Sequence, residues 1–331
     1  MRNKSITLLD LFSGIGGFHL GLERAGFNVK SYNSEIDKYA IDVYKHNFKN
    51  STYVGSVTDV RGSELPRIDA ITFGSPCQDF SLAGKREGMG GERSSLILEA
   101  IRLIQECRPR FFIWENVKGT FSSNAGRDFT AILQAFANLG DYTIEWQLLN
   151  TKWFLPQNRE RIYLVGYLRG KRGRQVFPLS ENNRRVDEGA KQTQNVGCLT
   201  AGGNSGGLHS SMTLIRHRSD QSQEAAIAAM RGRNPENPSD RTTEQRLEIN
   251  TNGTANTLTS VQKYNLVITD RIRRLTPIEY ERLQGFPDNW TANGATSPIS
   301  DTQRYKMCGN AVTVDVVEAV ARNIKNTLYG K

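Results

Sequence analysis

"ITLLDLFSGIGGFHLGLERAG", residues 6–26, decides the fold. "ITLLD" is a short apolar run of strand type, "FHLGLERAG" has helical spacing, and Gly14, Gly16 and Gly17 fall between them. Glycines at such a junction let the chain turn sharply and bring backbone close to a ligand, with the N-terminus of the helix facing it. The same glycines also fit a plain tight turn. Glu35 ends the next apolar segment, "VKSYNS", where an acidic side chain can accept hydrogen bonds from the two ribose hydroxyls of an adenosine. The third glycine of a G-x-G-x-x-G fingerprint is replaced by His19, which counts against NAD and leaves other adenosine-containing cofactors open.

Outward from this unit, strand and helix patterns alternate to about residue 168. Helical spacing is found in "KYAIDVYKHN", "SSLILEAIRLIQECR" and "FTAILQAFANLG"; strand character in "TYVGSV", "DAITFGS", "FFIWENV", "YTIEWQLLN" and "RIYLVGYL". This alternation predicts an α/β fold with a mostly parallel, doubly wound sheet. The last two strands follow one another without a helix, which predicts an antiparallel addition at one edge. From about Lys171 the composition turns polar and basic, with brief apolar segments such as "MTLI", "AAIAAM" and "YNLVI". A second, smaller, loop-rich domain with a thin core, or a partly flexible segment, is expected there. The final "VDVVEAVARNIKNTLY" is an amphipathic helix.

The 331 residues leave room for two domains at the usual 100 to 200 residues each. With 37% hydrophobic and 23% charged residues, and no apolar run near the roughly 20 that a membrane helix needs, no membrane role is expected. Asp10 interrupts the apolar start, and no small-residue cleavage site follows it, so the N-terminus reads as a strand rather than an export signal. Cys77, Cys107, Cys198 and Cys308 are scattered, without a C-x-x-C pair or a nearby histidine, which predicts neither a metal site nor a disulfide framework and suits a reducing, cytoplasmic compartment. A net charge of +9 favours polyanionic partners without choosing one.

Cys77 stands in "GSPCQDFS", at the carboxyl end of a predicted strand, the edge where open α/β sheets bind ligands. A buried, inert thiol is the more common fate of a cysteine. Three features favour a nucleophile: the loop opening at Gly74–Pro76, the polar neighbours Gln78, Asp79 and Ser81, and the Gly-rich basic loop "LAGKREGMGGERSS" that follows and could clamp a polyanion. Glu115, in "FFIWENV", ends another strand and could bring an acid to the same edge, or could cap a turn. In "PQNRERIYLVG", Arg159 and Arg161 stand two apart in an extended segment, where both side chains can reach one anion, unless they are ordinary solvated charges.

Taken together, "DLFSGIGGF", "GSPCQDFS", "WENV", "PQNRERIY", "RRLTPIEYERLQGFP" and "YKMCGNAV" resemble the signature blocks of the cytosine-5 DNA methyltransferases, in that family's order and at about its spacing. The resemblance covers residues 5 to about 168 and 271–331. It implies a Rossmann-like S-adenosylmethionine-dependent domain (residues 1–170 and 300–331) interrupted by a smaller target-recognition domain (171–299). Phe12, Gly14 and Gly16 would line the S-adenosylmethionine site, Glu35 would hold the ribose, Leu96 would add a contact, and Asn310 and Val312 would close the pocket. Cys77 would be the nucleophile and Glu115 the acid, with Arg159 and Arg161 around a flipped cytosine. Pro76, Gln78 and Ser81 would shape a loop closing on duplex DNA, and Lys85, Arg86 and Arg93 would meet phosphates. Specificity would reside in loops such as "TAGGNSGG" and "TLTSVQ". The chain departs from the family at Ser56, where most relatives place an adenine-binding aspartate, and at Ile36, where several stack an aromatic. The implied enzyme is a metal-free monomer of prokaryotic or phage type, such as those of restriction-modification systems. A tRNA cytosine-5 methyltransferase, a catalytically silent DNA-binding module and a dehydrogenase are the competing readings.

Overall fold

A computed structural model of the chain describes residues 4–75, 96–169, 175–181, 226–231, 246–250, 265–268 and 272–329. In chain order its elements are β1 (Lys4–Leu11), α1 (Gly17–Arg24), β2 (Phe27–Ser34), α2 (Lys38–Asn47), β3 (Thr52–Tyr53), β4 (Ala70–Gly74), α3 (Leu96–Cys107), β5 (Phe111–Val117), α4 (Arg127–Ala137), β6 (Tyr142–Asn150) and β7 (Glu160–Leu168). There follow β8 (Ala226–Arg231), β9 (Arg246–Asn250), β10 (Asn265–Ile268), β11 (Ile272–Arg274), α5 (Pro277–Leu283), α6 (Asp301–Asn310) and α7 (Val314–Tyr329).

Seven strands form one sheet in the order β3-β2-β1-β4-β5-β7-β6. The pairs from β3 through to β5 are parallel, and β7 joins β5 antiparallel. The sheet is therefore doubly wound with the expected change of direction near one edge. Central strands are apolar on both faces: Leu8, Leu9 and Leu11 of β1, Ile71 and Phe73 of β4, and Phe111 to Trp114 of β5 are all buried. Runs of this kind belong to parallel strands covered by helices on both sides. The segment "TYVGSV" contributes only the two residues of β3.

The chain divides into two compact units. The first comprises Met1–Leu149, Glu160–Ser180 and Val314–Lys331; the second comprises Asn150–Arg159 and Glu181–Thr313. The second unit holds a four-stranded sheet, β11-β10-β8-β9, with antiparallel pairing throughout, together with α5 and α6. Two of its four strands, β8 and β10, coincide with the brief apolar segments "AAIAAM" and "YNLVI", whereas β9 and β11 match none of those segments and "MTLI" lies outside the described residues. Helix α7 returns to the first unit, where Val317 packs against Gly21 of α1 so closely that a Cβ on Gly21 would sit 2.5 Å from Val317 Cγ1.

Candidate active site

The turn after β1 is wound tightly. Phe12, Gly14 and Gly16 have φ values of 51°, 52° and 87°. The left-handed region favours glycine, and Phe12 holds it at a cost of the kind usually found at functional sites. Gly16 is required twice over, since an added Cβ would also lie 2.2 Å from Phe48 Cε2. Ser13 donates its N–H to Ser34 O at 3.0 Å, tying the turn to the end of β2. Glu35 fastens the same corner from its side chain. Its Oε2 accepts from Gly14 N–H at 2.8 Å, and its Oε1 accepts from Ile36 N–H at 2.8 Å and Asp37 N–H at 3.0 Å.

This corner suits an adenosine. The half-buried Glu35 carboxylate is an acceptor of the kind a hydroxyl pair needs, and an added side chain on Gly14 would meet no described atom within 4 Å. Ser13 Oγ is buried in the turn with no partner among the described residues. Ile36 is 81% exposed beside the carboxylate and offers an apolar surface there. Ser56 Oγ lies 3.0 Å from Thr58 Oγ1, so a hydroxyl pair replaces the carboxylate expected there.

Beneath the turn lies a polar row that the sequence reading did not single out. Asp10 of β1 is in register with Asn33 of β2 and Thr72 of β4, and all three are fully buried. Thr72 Oγ1 donates to Asp10 Oδ1 at 2.7 Å and the Tyr44 hydroxyl to Oδ2 at 3.3 Å; His19 Nδ1 lies 3.0 Å from that hydroxyl. Burial pushes the Asp10 carboxyl up to about 8, against the hydrogen bonds from Thr72 and Tyr44, with the Glu35 charge adding to the rise. A charged residue inside the apolar run "ITLLDLF" was the available signal.

The carboxyl ends of β4 and β5 meet in register, Gly74 opposite Glu115. Glu115 is 8% exposed, and Arg161 Nε sits 3.2 Å from its Oε1. Oε2 faces β4, where a Cβ on Gly74 would come within 3.2 Å of it. A side chain at Gly74 would press on that carboxylate oxygen. Ser75, the last described residue of this segment, is held by Trp114 Nε1–H to its Oγ at 3.1 Å and by Asn116 Nδ2–H to its carbonyl at 3.2 Å. Pro76, Cys77, Gln78, Ser81, Lys85, Arg86 and Arg93 lie outside the described residues, as do Cys198 and the stretches "TAGGNSGG" and "TLTSVQ". Leu96, half-buried, opens α3.

Arg159 takes a different direction from Arg161. It is 3% exposed, and donates from Nη1 to Gly309 O at 3.3 Å and from Nη2 to Ala311 O at 2.9 Å. Between those acceptors Asn310 is exposed, and Val312, just beyond them, is half-buried. Among the described cysteines, burial pushes the half-buried Cys107 thiol up to about 11 and raises Cys308 as well, so both are held away from the reactive thiolate. The described residues contain no group of three His, Cys, Asp or Glu side chains that could hold a metal, and no helix long and apolar enough to cross a membrane.

A left-handed glycine turn bound to a strand-end glutamate, and a glycine pressed against a second glutamate one strand further on, are joined by a match over nearly the whole chain: residues 6–326 fit the C-5 cytosine-specific DNA methylases. The chain belongs to that family. The type II methyltransferase M.NgoBI of Neisseria gonorrhoeae is 34% identical, covering 97% of this chain and 93% of that protein. M1.ScrFI of Lactococcus lactis subsp. cremoris, also a type II methyltransferase, is 33% identical over 99% of this chain and 80% of its own length. Among solved structures, the Entamoeba histolytica methyltransferase EhMeth superposes with a TM-score of 0.63 at 18% identity, over 98% of this chain and 99% of that one. The Schizosaccharomyces pombe Dnmt2 methyltransferase does so at 0.62 and 19%, over 97% and 98%. As a member of the family this DNA methylase transfers a methyl group from S-adenosylmethionine to carbon 5 of cytosine in DNA.

Proposed function

We propose that this DNA methylase acts on a flipped cytosine in a specific duplex sequence through a covalent adduct at Cys77. The reading is carried by one observation: the strand leading to Cys77 ends in register with Glu115, whose Oε2 faces that strand while Oε1 is engaged by Arg161. Carbon 5 of cytosine is too poor a nucleophile to take a methyl group unaided. Cys77 thiolate adds to carbon 6 while Glu115 gives a proton to N3, which leaves carbon 5 an enamine carbon. S-adenosylmethionine, when bound, would supply the electrophilic methyl group to carbon 5, its sulfur keeping the bonding pair and leaving as S-adenosylhomocysteine. A base, water in the simplest case, then removes the carbon 5 proton; the carbon 6–sulfur bond breaks, the thiolate leaves, and the N3 proton returns to Glu115.

Glu35, with the turn Phe12–Gly16, holds the adenosine, and Leu96, Asn310 and Val312 keep the cofactor roles that the resemblance implies. The reacting base cannot enter such a site while stacked, and extruding it costs a few kcal/mol. Pro76, Gln78 and Ser81 shape the loop that closes on the DNA, and Lys85, Arg86 and Arg93 offset that cost at the phosphates. The target-recognition domain, residues 171–299, reads the sequence, and the enzyme works as a cytoplasmic monomer without metal. The raised thiols of Cys107 and Cys308 argue against either of these two as the nucleophile.

Duplex DNA bearing 5-fluorocytosine at the target has no removable carbon 5 proton, so the enzyme is expected to form a denaturation-resistant adduct in the presence of S-adenosylmethionine. Bisulfite sequencing of DNA from a host expressing the enzyme identifies the target. An adduct that persists in Cys77→Ala overturns the assignment.

A further inference from the structure

We propose that Arg159 is a positioning residue for the cofactor, acting through the turn that carries Asn310 and Val312, and that it does not contact the reacting base. The inference rests on the assignment of those two residues to the cofactor. Five buried polar side chains form one network around the chain between Cys308 and Thr313, with Gln157 joined to it through Gln284. Arg159 donates to Gly309 O and Ala311 O, and Gln284 Nε2 donates to Cys308 O at 2.8 Å. Thr313 Oγ1 donates to Gln284 Oε1 at 3.0 Å and lies 3.0 Å from Thr151 Oγ1, while Gln157 Nε2 donates to Leu283 O at 2.7 Å. Exposure of these five ranges from 0% for Gln157 and Gln284 to 3% for Arg159.

The arrangement has a physical logic. Helix α6 ends at Asn310, and the last carbonyls of a helix have no partner within it and carry partial negative charge. Cys308 O and Gly309 O belong to that last turn, and they are met by Gln284 and by a guanidinium. The next residue, Ala311, is extended at φ −69° and ψ 153°, and its carbonyl is the second acceptor of the same guanidinium. Cys308, Gly309, Ala311 and Thr313 are buried, whereas Asn310 is exposed and Val312 half-buried. The network thus fixes the inward residues and leaves the alternate pair to face a ligand. Arg159 is itself held, its N–H donating to Asn150 Oδ1 at 3.2 Å and its carbonyl accepting from Thr151 N–H at 2.9 Å. A planar fork spanning two carbonyls two residues apart cannot be replaced by a lysine, which offers a point charge.

The test is Arg159→Lys, with Thr313→Val as a second variant that removes one hydroxyl at constant shape. Arg159→Lys is expected to raise the KM for S-adenosylmethionine, and its equilibrium Kd measured without DNA, by about tenfold or more, with kcat at saturating cofactor within about threefold of the parent. Thr313→Val should shift both constants the same way by about threefold, and it decides the matter alone if Arg159→Lys does not fold. Unchanged cofactor binding in Thr313→Val, or in a folded Arg159→Lys, overturns the proposal; so does a loss of kcat in Arg159→Lys at saturating cofactor. Asn310→Ala separates the two failures. If it binds cofactor like the parent, the assignment of the turn is wrong; if it binds weakly while Arg159→Lys does not, the error lies with Arg159.

Discussion

Asp10 is a fully buried acid held by the hydroxyls of Thr72 and Tyr44. Its carboxyl is pushed up to about 8 by burial, whereas an unfolded aspartate titrates near 4. Between those two values the folded protein holds a proton that the unfolded chain has released. Stability therefore declines as pH rises from about 4 to about 8 and is level with respect to this group above that range. Asp10→Asn removes the titration, and the difference between parent and variant should grow by a few kcal/mol, on the order of one for each pH unit, in favour of the variant as pH rises. Urea midpoints at pH 5.5 and 8 check this, and parallel changes in both proteins would refute it. Gly74 is the opposite case, set by space and not by charge. A Cβ there lies 3.2 Å from Glu115 Oε2, so Gly74→Ala has to displace the carboxylate by a few tenths of an ångström. Rate constants are sensitive to such shifts. We expect kcat to fall by about tenfold or more with the KM for S-adenosylmethionine little changed, read by steady-state kinetics alongside a thermal melt showing the fold retained.

The elements differ in how much of them the sequence discloses, and the reason is the distance over which each is determined. Strand β1, the glycine turn and α1 form a local unit, and hydrophobic period with glycine placement was enough to find it. The position of Glu35 was legible because it directly follows the very next strand, and that of Glu115 because a carboxylate closing the apolar run of β5 is conspicuous. The antiparallel strand β7 was legible from the lack of a helix between it and β6. Arg159 was not. The two-residue period that placed it beside Arg161 holds within a strand, but β7 begins at Glu160, and Arg159 belongs to the turn before it, where its carbonyl pairs with Thr151. The Asp10 row was hidden for another reason: its partners Tyr44 and Thr72 come from elements 34 and 62 residues away, and only the assembled sheet brings them together. Helix α5 carries a readable start signal. Thr276, Pro277 and Glu279 form a capping box with proline in the first turn. Helix α6 had little to read, since its buried residues Tyr305, Met307, Cys308 and Gly309 crowd the part from its middle to its end and leave no periodic stripe.

At the scale of the whole molecule the chain leaves the first unit twice, for Asn150–Arg159 and for Glu181–Thr313, and comes back for the last time at Val314. The first unit is therefore incomplete until the last residues of the chain are present. Helix α7 buries Val314, Val316, Val317, Val320, Ile324 and Leu328. At about 1.5 to 3 kcal/mol for each large aliphatic side chain, these six are worth about 10 kcal/mol or more. A domain's entire net stability is about 5 to 15 kcal/mol. A chain ending at Thr313 is thus expected to lose the fold of the first unit, although every residue of the glycine turn and of the β4–β5 edge is still present. The dependence is one of packing and not of chain order. Lys4 Nζ lies 5.4 Å from the Tyr329 ring centroid, so the two ends of the first unit are neighbours. Moving residues 314–331 in front of Met1 through a short Gly/Ser linker should restore solubility and a cooperative melt that the truncated chain lacks. Circular dichroism melts of the parent, truncated and rearranged chains make the comparison. A truncated chain that melts like the parent would show that α7 is dispensable, and a rearranged chain that fails to fold would show that the order of the segments matters beyond their contacts.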